Sequence, residues 1–167
     1  MATVPRVHLL DLPAGHEAWA RALPVLQELR TALTADLLAQ VLREGQPQGL
    51  RFLGAFDAGR PDDGSCPGDA AAAVAGGGGQ ACLGVAGWRV VASTSTVRKL
   101  YVDDLVTTSA ARSRGVGGAL LDELERRARQ AGCSVLDLDS GVQRHDAHRF
   151  YLRRHMDITS HHLVRRW

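Results

Sequence analysis

The sequence predicts an α/β fold, of the α+β kind, in which a mixed, twisted sheet is flanked by helices. Strands and helices alternate along the chain after residue 98, as they do in domains built on a mixed sheet. The 167 residues have the length of one domain, with 45% hydrophobic and 23% charged residues, which are ordinary globular proportions. We therefore expect a single domain over residues 1–167 that needs no disulfide or metal to hold its core.

The N-terminal third predicts one strand followed by two short helices. The strand covers Arg6–Leu12, and apolar residues at helical spacings of three and four follow from Trp19 onward, interrupted by Pro24, which either starts a helix or kinks one. Thr34 has the position of a helix N-cap, and Gly45 ends that second helix.

The middle of the chain contains two strands separated by a segment of different composition. Residues 50–56 and 81–93 show strand alternation. Between them, residues 57–80 are rich in Gly, Ala, Pro and Asp and offer little to bury, which predicts a long flexible loop within the domain. The glycine run 76–79 lacks the Lys and Ser/Thr that a phosphate-binding P-loop requires.

The C-terminal half has the clearest periodicity in the chain. A helix that begins near Gly115 and stops at Gly132 carries its apolar residues on one face. The other predicted elements of this half are a strand over 99–107, a strand over 134–139, a helix over 145–154 and a last strand over Ile158–Arg166.

Composition and charge argue against several functional classes. No run approaches the roughly 18 apolar residues of a membrane helix, and the first residues make a poor signal peptide. We therefore expect a cytoplasmic protein with no membrane partner. The net charge of +2 is too small to indicate nucleic acid. Cys66, Cys82 and Cys133 have no C-x-x-C spacing, so free thiols are expected rather than a disulfide framework or a zinc site.

A glycine-rich turn lies between the strand that ends at Thr107 and the long helix. Its sequence is Arg112-Ser-Arg-Gly-Val-Gly-Gly118. Glycines allow a tight turn and leave N–H groups unobstructed at a helix N-terminus, where the partial positive charge favours phosphate. Arg112 and Arg114 add cationic donors. A simple strand-to-helix turn with incidental arginines is the alternative interpretation, because short glycine motifs are common.

Two motifs in the expected order make the chain resemble the GNAT superfamily of acetyl-CoA-dependent N-acetyltransferases. Arg112, Gly115 and Gly117 fit the pattern R/Q-x-x-G-x-G/A, and the later segment Ala147-His-Arg-Phe-Tyr151 is similar to the pattern A-x-x-F/L-Y. The resemblance implies a GNAT fold, with six or seven strands and about four helices. It also implies a V-shaped opening between the central strands, where acetyl-CoA binds and no metal is needed.

The resemblance implies which residues hold acetyl-CoA. Backbone groups of Leu105, Val106 and Thr107 are expected to bind the pantetheine arm, as an amide chain pairs with a strand edge. The pyrophosphate is expected on the glycine turn, at Arg112, Ser113, Arg114, Gly115, Val116, Gly117 and Gly118. Arg144 and Ala147 complete the set at the start of the second motif. Two positions depart from the family pattern: Arg144 replaces a frequent Asn, and His155-Met156 replaces a usual Gly-Phe.

The catalytic assignments also follow from the resemblance. Tyr151 is expected to be the general acid for the departing thiolate, with a purely structural aromatic as the alternative. Asp103 or Asp104 is expected to act as a base through water or to attract a cationic amine, against a surface or capping role for each. Because successive strand residues point to opposite faces, only one should line the acceptor cleft, and Asp103 is favoured. A backbone N–H near Val106 would polarise the carbonyl.

The predicted reaction is direct transfer of acetyl to a primary amine, without a covalent enzyme intermediate. The acceptor is a small amine, such as a polyamine or an aminoglycoside, or a protein amino group. The alternative function is a non-catalytic CoA-binding sensor or interaction module, and transfer of a longer acyl group is also open. His161 and His162 have either a surface role or a place beside the acceptor pocket. Many members of the superfamily are dimers, so a homodimer is open as well.

Overall fold

The computed structural model describes residues 6–59 and 80–167. Within these ranges, five strands form one sheet, four α-helices accompany it, and short 3₁₀ turns occur at Gln46–Gln48 and Ser109–Ala111. The elements are β1 (Val7–Asp11), α1 (Trp19–Gln27), α2 (Ala35–Gly45), β2 (Arg51–Asp57), β3 (Cys82–Ser93), β4 (Val97–Thr107), α3 (Val116–Gln130), β5 (Val135–Leu138) and α4 (His145–Arg153). Cys66 and nearly all of the predicted loop over 57–80 lie outside the described residues.

The sheet is mixed, as the sequence predicts. Its strands lie in the order β1-β2-β3-β4-β5, and the first four pair antiparallel while β5 runs parallel to β4. The antiparallel pairs need only short connections, whereas a parallel neighbour requires a crossover, which α3 provides between β4 and β5. No helix in the described part of the chain is both long and apolar enough to cross a membrane.

The two N-terminal helices form where the sequence predicts them. Thr34 caps α2, because its side-chain oxygen accepts a hydrogen bond of 3.2 Å from the N–H of Leu37. Pro24 lies inside α1 and does not end it. Trp19, Val25 and Leu26 of α1 are buried against the sheet, so packing outweighs the hydrogen bond that the proline cannot make.

Helices cover both faces of the sheet. On one face α1 and α2 pack on a cluster that includes Trp19, Leu26, Leu38, Phe52 and Phe56. On the other face α3 packs on the sheet and forms a second cluster with it. The helix contributes Val116, Leu120 and Leu124 to this cluster, and the sheet contributes Leu53 and Leu100. The site described below lies between these two layers, where β4 and β5 part.

Gly84 of β3 allows α3 to pack closely on the sheet. A Cβ atom at this position would lie 3.0 Å from the backbone oxygen of Val106 and 3.0 Å from Leu120 Cδ1. Both contacts are tighter than ordinary van der Waals distances, so a larger residue would push the helix from the strand.

The predicted last strand is wrong, and the sheet has five strands rather than six or seven. Residues 157–167 form no element, and every one of them is exposed. The side chains of Leu163 and Trp167 are 91% and 104% exposed. The apolar residues of this segment do not alternate with period two, so no face of it is apolar enough to bury against the edge of β5.

Removal of a side chain from the α3 interface should lower stability strongly. Leu120 is fully buried between α3 and the sheet, so Leu120→Ala should reduce the free energy of unfolding by about 2–5 kcal/mol, as truncations of buried leucines do. Urea denaturation monitored by tryptophan fluorescence measures the loss. Leu152→Ala is the matched control, since Leu152 is 50% exposed, and it should change stability by less than about 1 kcal/mol. Equal losses in the two variants would contradict the packing described.

Candidate active site

The site begins where β4 and β5 separate. These strands pair only between Lys99–Val102 and Val135–Leu138, whereas β4 continues to Thr107. Its backbone groups from Asp103 onward therefore have no strand partner on the side of β5 in the described part of the chain. This divergence forms the V-shaped opening that the sequence resemblance implies.

A β-bulge in β4 turns two consecutive carboxylates into the opening. Gly87 of β3 lies opposite Asp104 and Trp88 lies opposite Val102, so Asp103 is the extra residue. A bulge interrupts the strict alternation of side chains. Asp103 and Asp104 consequently both line the cleft, and the expectation that only one would do so is wrong.

The cleft joins the diverging strands to α4 and to the chain after α1. It encloses about 110 Å³. Its walls contain acidic, basic and aromatic side chains as well as small apolar ones. The lining residues are Leu29, Arg30, Val102, Asp103, Asp104, Leu105, Leu138, Asp139, Ser140, Gly141, Arg144, Ala147 and Tyr151.

Arginines hold the carboxylates of the bulge. Arg89 donates two hydrogen bonds to Asp103, of 2.9 Å from Nε to Oδ2 and 2.5 Å from Nη2 to Oδ1, and this contact raises the pKa of Arg89. Arg30 donates from Nε to Asp104 Oδ1 at 2.7 Å and from Nη2 to the backbone oxygen of Asp103 at 3.2 Å. Each carboxylate therefore already has a cationic partner.

Tyr151 presents an unpaired phenol to the cleft. The residue lies on α4 and packs edge to face on Phe150, with ring centroids 5.3 Å apart. Burial raises the pKa of its hydroxyl, while the positive charge of Arg144 acts in the opposite direction. The phenol has no hydrogen-bond partner among the described residues and stays protonated at neutral pH, so it can donate a proton to a bound group.

The glycine turn lies beside the same opening. A Cβ atom on Gly117 would lie 3.4 Å from Thr107 Oγ1 and 3.6 Å from Phe150 Cζ, so the end of β4, the start of α3 and α4 meet at this point. Glu28, which follows α1, accepts hydrogen bonds from Thr108 Oγ1 at 2.5 Å and from the N–H of Ser109 at 2.8 Å. The bond from Thr108 is the main cause of the lowered pKa of Glu28.

The N-terminus of α3 has the character of an anion site. Ser113 and Gly115 have φ angles of 61° and 83°, which turn successive N–H groups toward one side. The first turn of the helix carries no acidic residue. Arg112 and Arg114 are exposed, and neither has an ion-pair partner in the described part of the chain. Within this turn, the N–H groups of Ser113, Gly115, Val116, Gly117 and Gly118 have no hydrogen-bond partner in the described residues.

Asp139, Tyr101 and Ser140 belong to the site although the sequence analysis did not select them. Tyr101 donates a hydrogen bond of 2.6 Å to Asp139 Oδ2, and burial, followed by this bond, raises the pKa of Tyr101. The hydroxyl of Ser140 is buried without a partner in the described ranges. One signal was available: carboxyl ends of neighbouring parallel strands meet at one edge of a sheet, and Asp139 follows β5 there.

Leu105, Val106 and Thr107 pair with β3 and have no strand neighbour on the β5 side in the described residues. Ala147 and Arg144 lie on the opposite wall, at the start of α4. The second motif thus lines the cleft through Ala147 and Tyr151, and the glycine turn of the first motif lies beside it, against Thr107 and Phe150. His161 forms no ion pair in the described residues, whereas His162 Nδ1 lies 3.1 Å from Asp139 Oδ2.

Comparisons with known proteins bear on the family and the fold of the chain. The model of a family described as "Acetyltransferase (GNAT) family" matches residues 66–156. An uncharacterized N-acetyltransferase, YhdJ, of Bacillus subtilis (strain 168) is 31% identical over 146 residues, which cover 87% of each chain. An aminoalkylphosphonate N-acetyltransferase of Salmonella typhimurium is 42% identical over 52 residues, or 31% of this chain and 34% of that protein.

A solved structure shares the fold. An aminoglycoside N-acetyltransferase in complex with CoA superposes with a TM-score of 0.72 at 14% identity, covering 97% of this chain and 95% of that one. At this identity the likeness concerns the fold alone.

Both tyrosines should resist ionisation in the folded protein. The chain has two, Tyr101 and Tyr151, and burial raises the pKa of each. Little tyrosinate should therefore form at about pH 10, where an unperturbed tyrosine is half ionised. Since the neutral phenol is favoured in the folded state, this contribution to stability is complete below about pH 10 and is lost as the pH rises through the folded pKa.

Ultraviolet difference absorbance of tyrosinate measures the titration, and Tyr101→Phe and Tyr151→Phe assign each step. The urea-unfolded chain is the control and should ionise near pH 10. Half-ionisation of either folded tyrosine at or below that pH would contradict the burial described.

Proposed function

Because the chain belongs to the GNAT family of acetyltransferases, we propose that it transfers an acetyl group directly from acetyl-CoA to a primary amine. The observation that carries the proposal is that a strand edge free on one side, an anion site at a helix N-terminus and an unpaired phenol lie next to one another. A sensor that binds CoA without catalysis would need the first two features and would have no use for the third.

The α3 N-terminus is suited to the pyrophosphate of CoA. Unpaired N–H groups of Ser113 and of residues 115–118 supply donors in the direction of the helix dipole. The guanidinium groups of Arg112 and Arg114 form no ion pair in the described residues, although the Glu28 carboxylate interacts with Arg112 at longer range, and both groups can pair with phosphate oxygens. These properties support assigning the whole glycine turn to the acyl donor.

The free edge of β4 is suited to the pantetheine arm. That arm contains amides, and the backbone groups that face away from β3 within the stretch Leu105, Val106 and Thr107 can bind amides as a neighbouring strand would. Ala147 and Arg144, across the opening on α4, would close over the arm from the other side. The buried, unpaired hydroxyl of Ser140 supplies a further hydrogen bond to a group bound in the cleft.

Acetyl-CoA would supply the activated acyl group and its thiol leaving group. Tyr151 would donate its phenolic proton to the sulfur, a role that fits a hydroxyl kept neutral by burial. A backbone N–H of the unpaired β4 edge near Val106 would stabilise charge on the carbonyl oxygen.

Acidic residues on the cleft wall support a cationic acceptor. Asp103 and Asp104 would attract an ammonium group and help to remove its proton, although each shares its charge with an arginine. The acceptor itself stays open, because the aminoalkylphosphonate enzyme matches only 31% of this chain. A panel of four amines samples the chemically distinct acceptors: spermidine, kanamycin, aminoethylphosphonate and a peptide with an N-terminal alanine.

Loss of the Tyr151 hydroxyl should abolish turnover but preserve donor binding. Tyr151→Phe should reduce thiol release from acetyl-CoA, in the presence of the amine panel, by about 10²–10⁴-fold, the range typical of a lost general acid. CoA should still raise the melting temperature, as binding to the folded state requires. A wild type that binds CoA but releases no thiol with any amine would favour the non-catalytic alternative.

Removal of the two loop arginines should weaken donor binding. Arg112→Ala combined with Arg114→Ala should raise the Kd for CoA by at least about tenfold per arginine, since a hydrogen bond to a charged group contributes roughly 1.5–3 kcal/mol. Arg43→Ala with Arg129→Ala is the matched control, because it removes the same charge from exposed positions of α2 and α3. Calorimetric titration measures both. Equal weakening would show that only net charge matters.

A further inference from the structure

The three carboxylates of the cleft differ in what holds them. Asp103 and Asp104 are each bound by an arginine. Asp139 is the only one of the three without a guanidinium partner in the described part of the chain, and its Oδ2 contacts a phenol and an imidazole instead. A guanidinium has hydrogen-bond donors only, so Arg30 and Arg89 cannot accept a proton. The imidazole beside Asp139 has a second ring nitrogen that can accept one.

The imidazole belongs to His162, in the segment that follows α4. Its Nδ1 lies 3.1 Å from Asp139 Oδ2, and Tyr101 donates to the same oxygen at 2.6 Å. Asp139 itself lines the cleft together with Tyr151. His162 therefore lies next to a residue of the cleft lining, with its side chain 61% exposed to solvent.

The Asp139 contact favours one tautomer of His162. The Nδ1 and Oδ2 atoms are 3.1 Å apart, and because a carboxylate oxygen can only accept hydrogen bonds, a neutral ring with its proton on Nδ1 suits this contact. Nε2 then bears the free electron pair in the neutral ring, and no described residue donates to it. A base oriented through a third group in this way is the usual arrangement for proton removal in enzymes.

We propose that His162 is the general base that deprotonates the acceptor amine, and that Asp139 and Tyr101 are positioning residues for it. The inference rests on the proposed acetyl transfer and adds the acceptor side of that reaction. It also assigns a task to the exposed C-terminal segment, which contributes no strand to the sheet in the described structure.

The proton transfers balance in three steps. The ammonium form of the acceptor gives one proton to His162 Nε2, which then releases it to solvent. The amine nitrogen forms its bond to the acetyl carbon as the carbon–sulfur bond breaks, and the departing sulfur takes the phenolic proton of Tyr151. The nitrogen loses its second proton, which restores the phenol. Acetyl-CoA and an ammonium ion thus yield an amide, free CoA and one proton.

Replacement of His162 should impair transfer without affecting the donor. His162→Gln should lower kcat with the best amine of the panel by about a hundredfold or more, as the loss of a general base does, while CoA affinity and melting temperature stay unchanged. Imidazole added to His162→Gly should restore part of the activity, which a structural role would not allow. His161→Gln is the matched control and should retain full activity, since the neighbouring ring makes no contact with Asp139.

The tautomer offers a test that needs no acceptor. Long-range proton–nitrogen correlation spectra, recorded at a pH where the imidazole is neutral, should show His162 with its proton on Nδ1. Asp139→Asn should change that signal. Asp139→Asn and Tyr101→Phe should both lower kcat, the former more strongly.

The outcomes separate this inference from the proposed function. A wild type that acetylates an amine while His162→Gln keeps full activity overturns the role of His162 and leaves the transferase intact. A His162 proton on Nε2, or an Asp139→Asn loss without any His162→Gln loss, also overturns it. No acetyl transfer by the wild type to any amine would overturn both.

Discussion

The parting of β4 from β5 after Val102 is the constraint on which the site depends. A continuous ladder would consume the backbone groups of β4 from Asp103 to Thr107, and the crevice would close. Keeping the strands apart leaves polar groups without sheet partners, which is costly unless something else binds them. The bulge at Asp103 and the turn at Gly115 lie at the two ends of the separated stretch. The backbone groups that lose a strand partner there are therefore the ones available to bind a ligand.

Charge is distributed unevenly around this crevice. The donor end, at the start of α3, offers unpaired N–H groups and arginines without acidic partners in the described residues. The other end offers carboxylates, two of which are held by Arg30 and Arg89. An anionic donor and a cationic acceptor would thus approach from regions of opposite potential, which favours their correct orientation before any close contact forms.

The order of the elements was largely predictable from the sequence, because periodicity and caps act locally. Thr34 and Gly45 bound a helix, and the glycine turn precedes another, as their chemistry requires. The bulge at Asp103 was not predictable, since it depends on the register of β4 against β3. Pairs such as Arg89 with Asp103 or Tyr101 with Asp139 join residues far apart in the chain, and no local pattern encodes them. The predicted last strand was wrong because apolar residues do not form a strand unless one face of it is buried.

The segment after α1 ties the N-terminal helices to β4 through Glu28 and Arg30. Arg30 has 55% of its side chain exposed, and ion pairs in such surroundings contribute little to stability. The wall that an acceptor would meet is therefore fastened by weak surface contacts, whereas the donor side is built on the buried sheet and α3. Sequence change can remodel that wall at little thermodynamic cost, so one scaffold could diversify toward new amines while its handling of the shared acyl carrier stays constant.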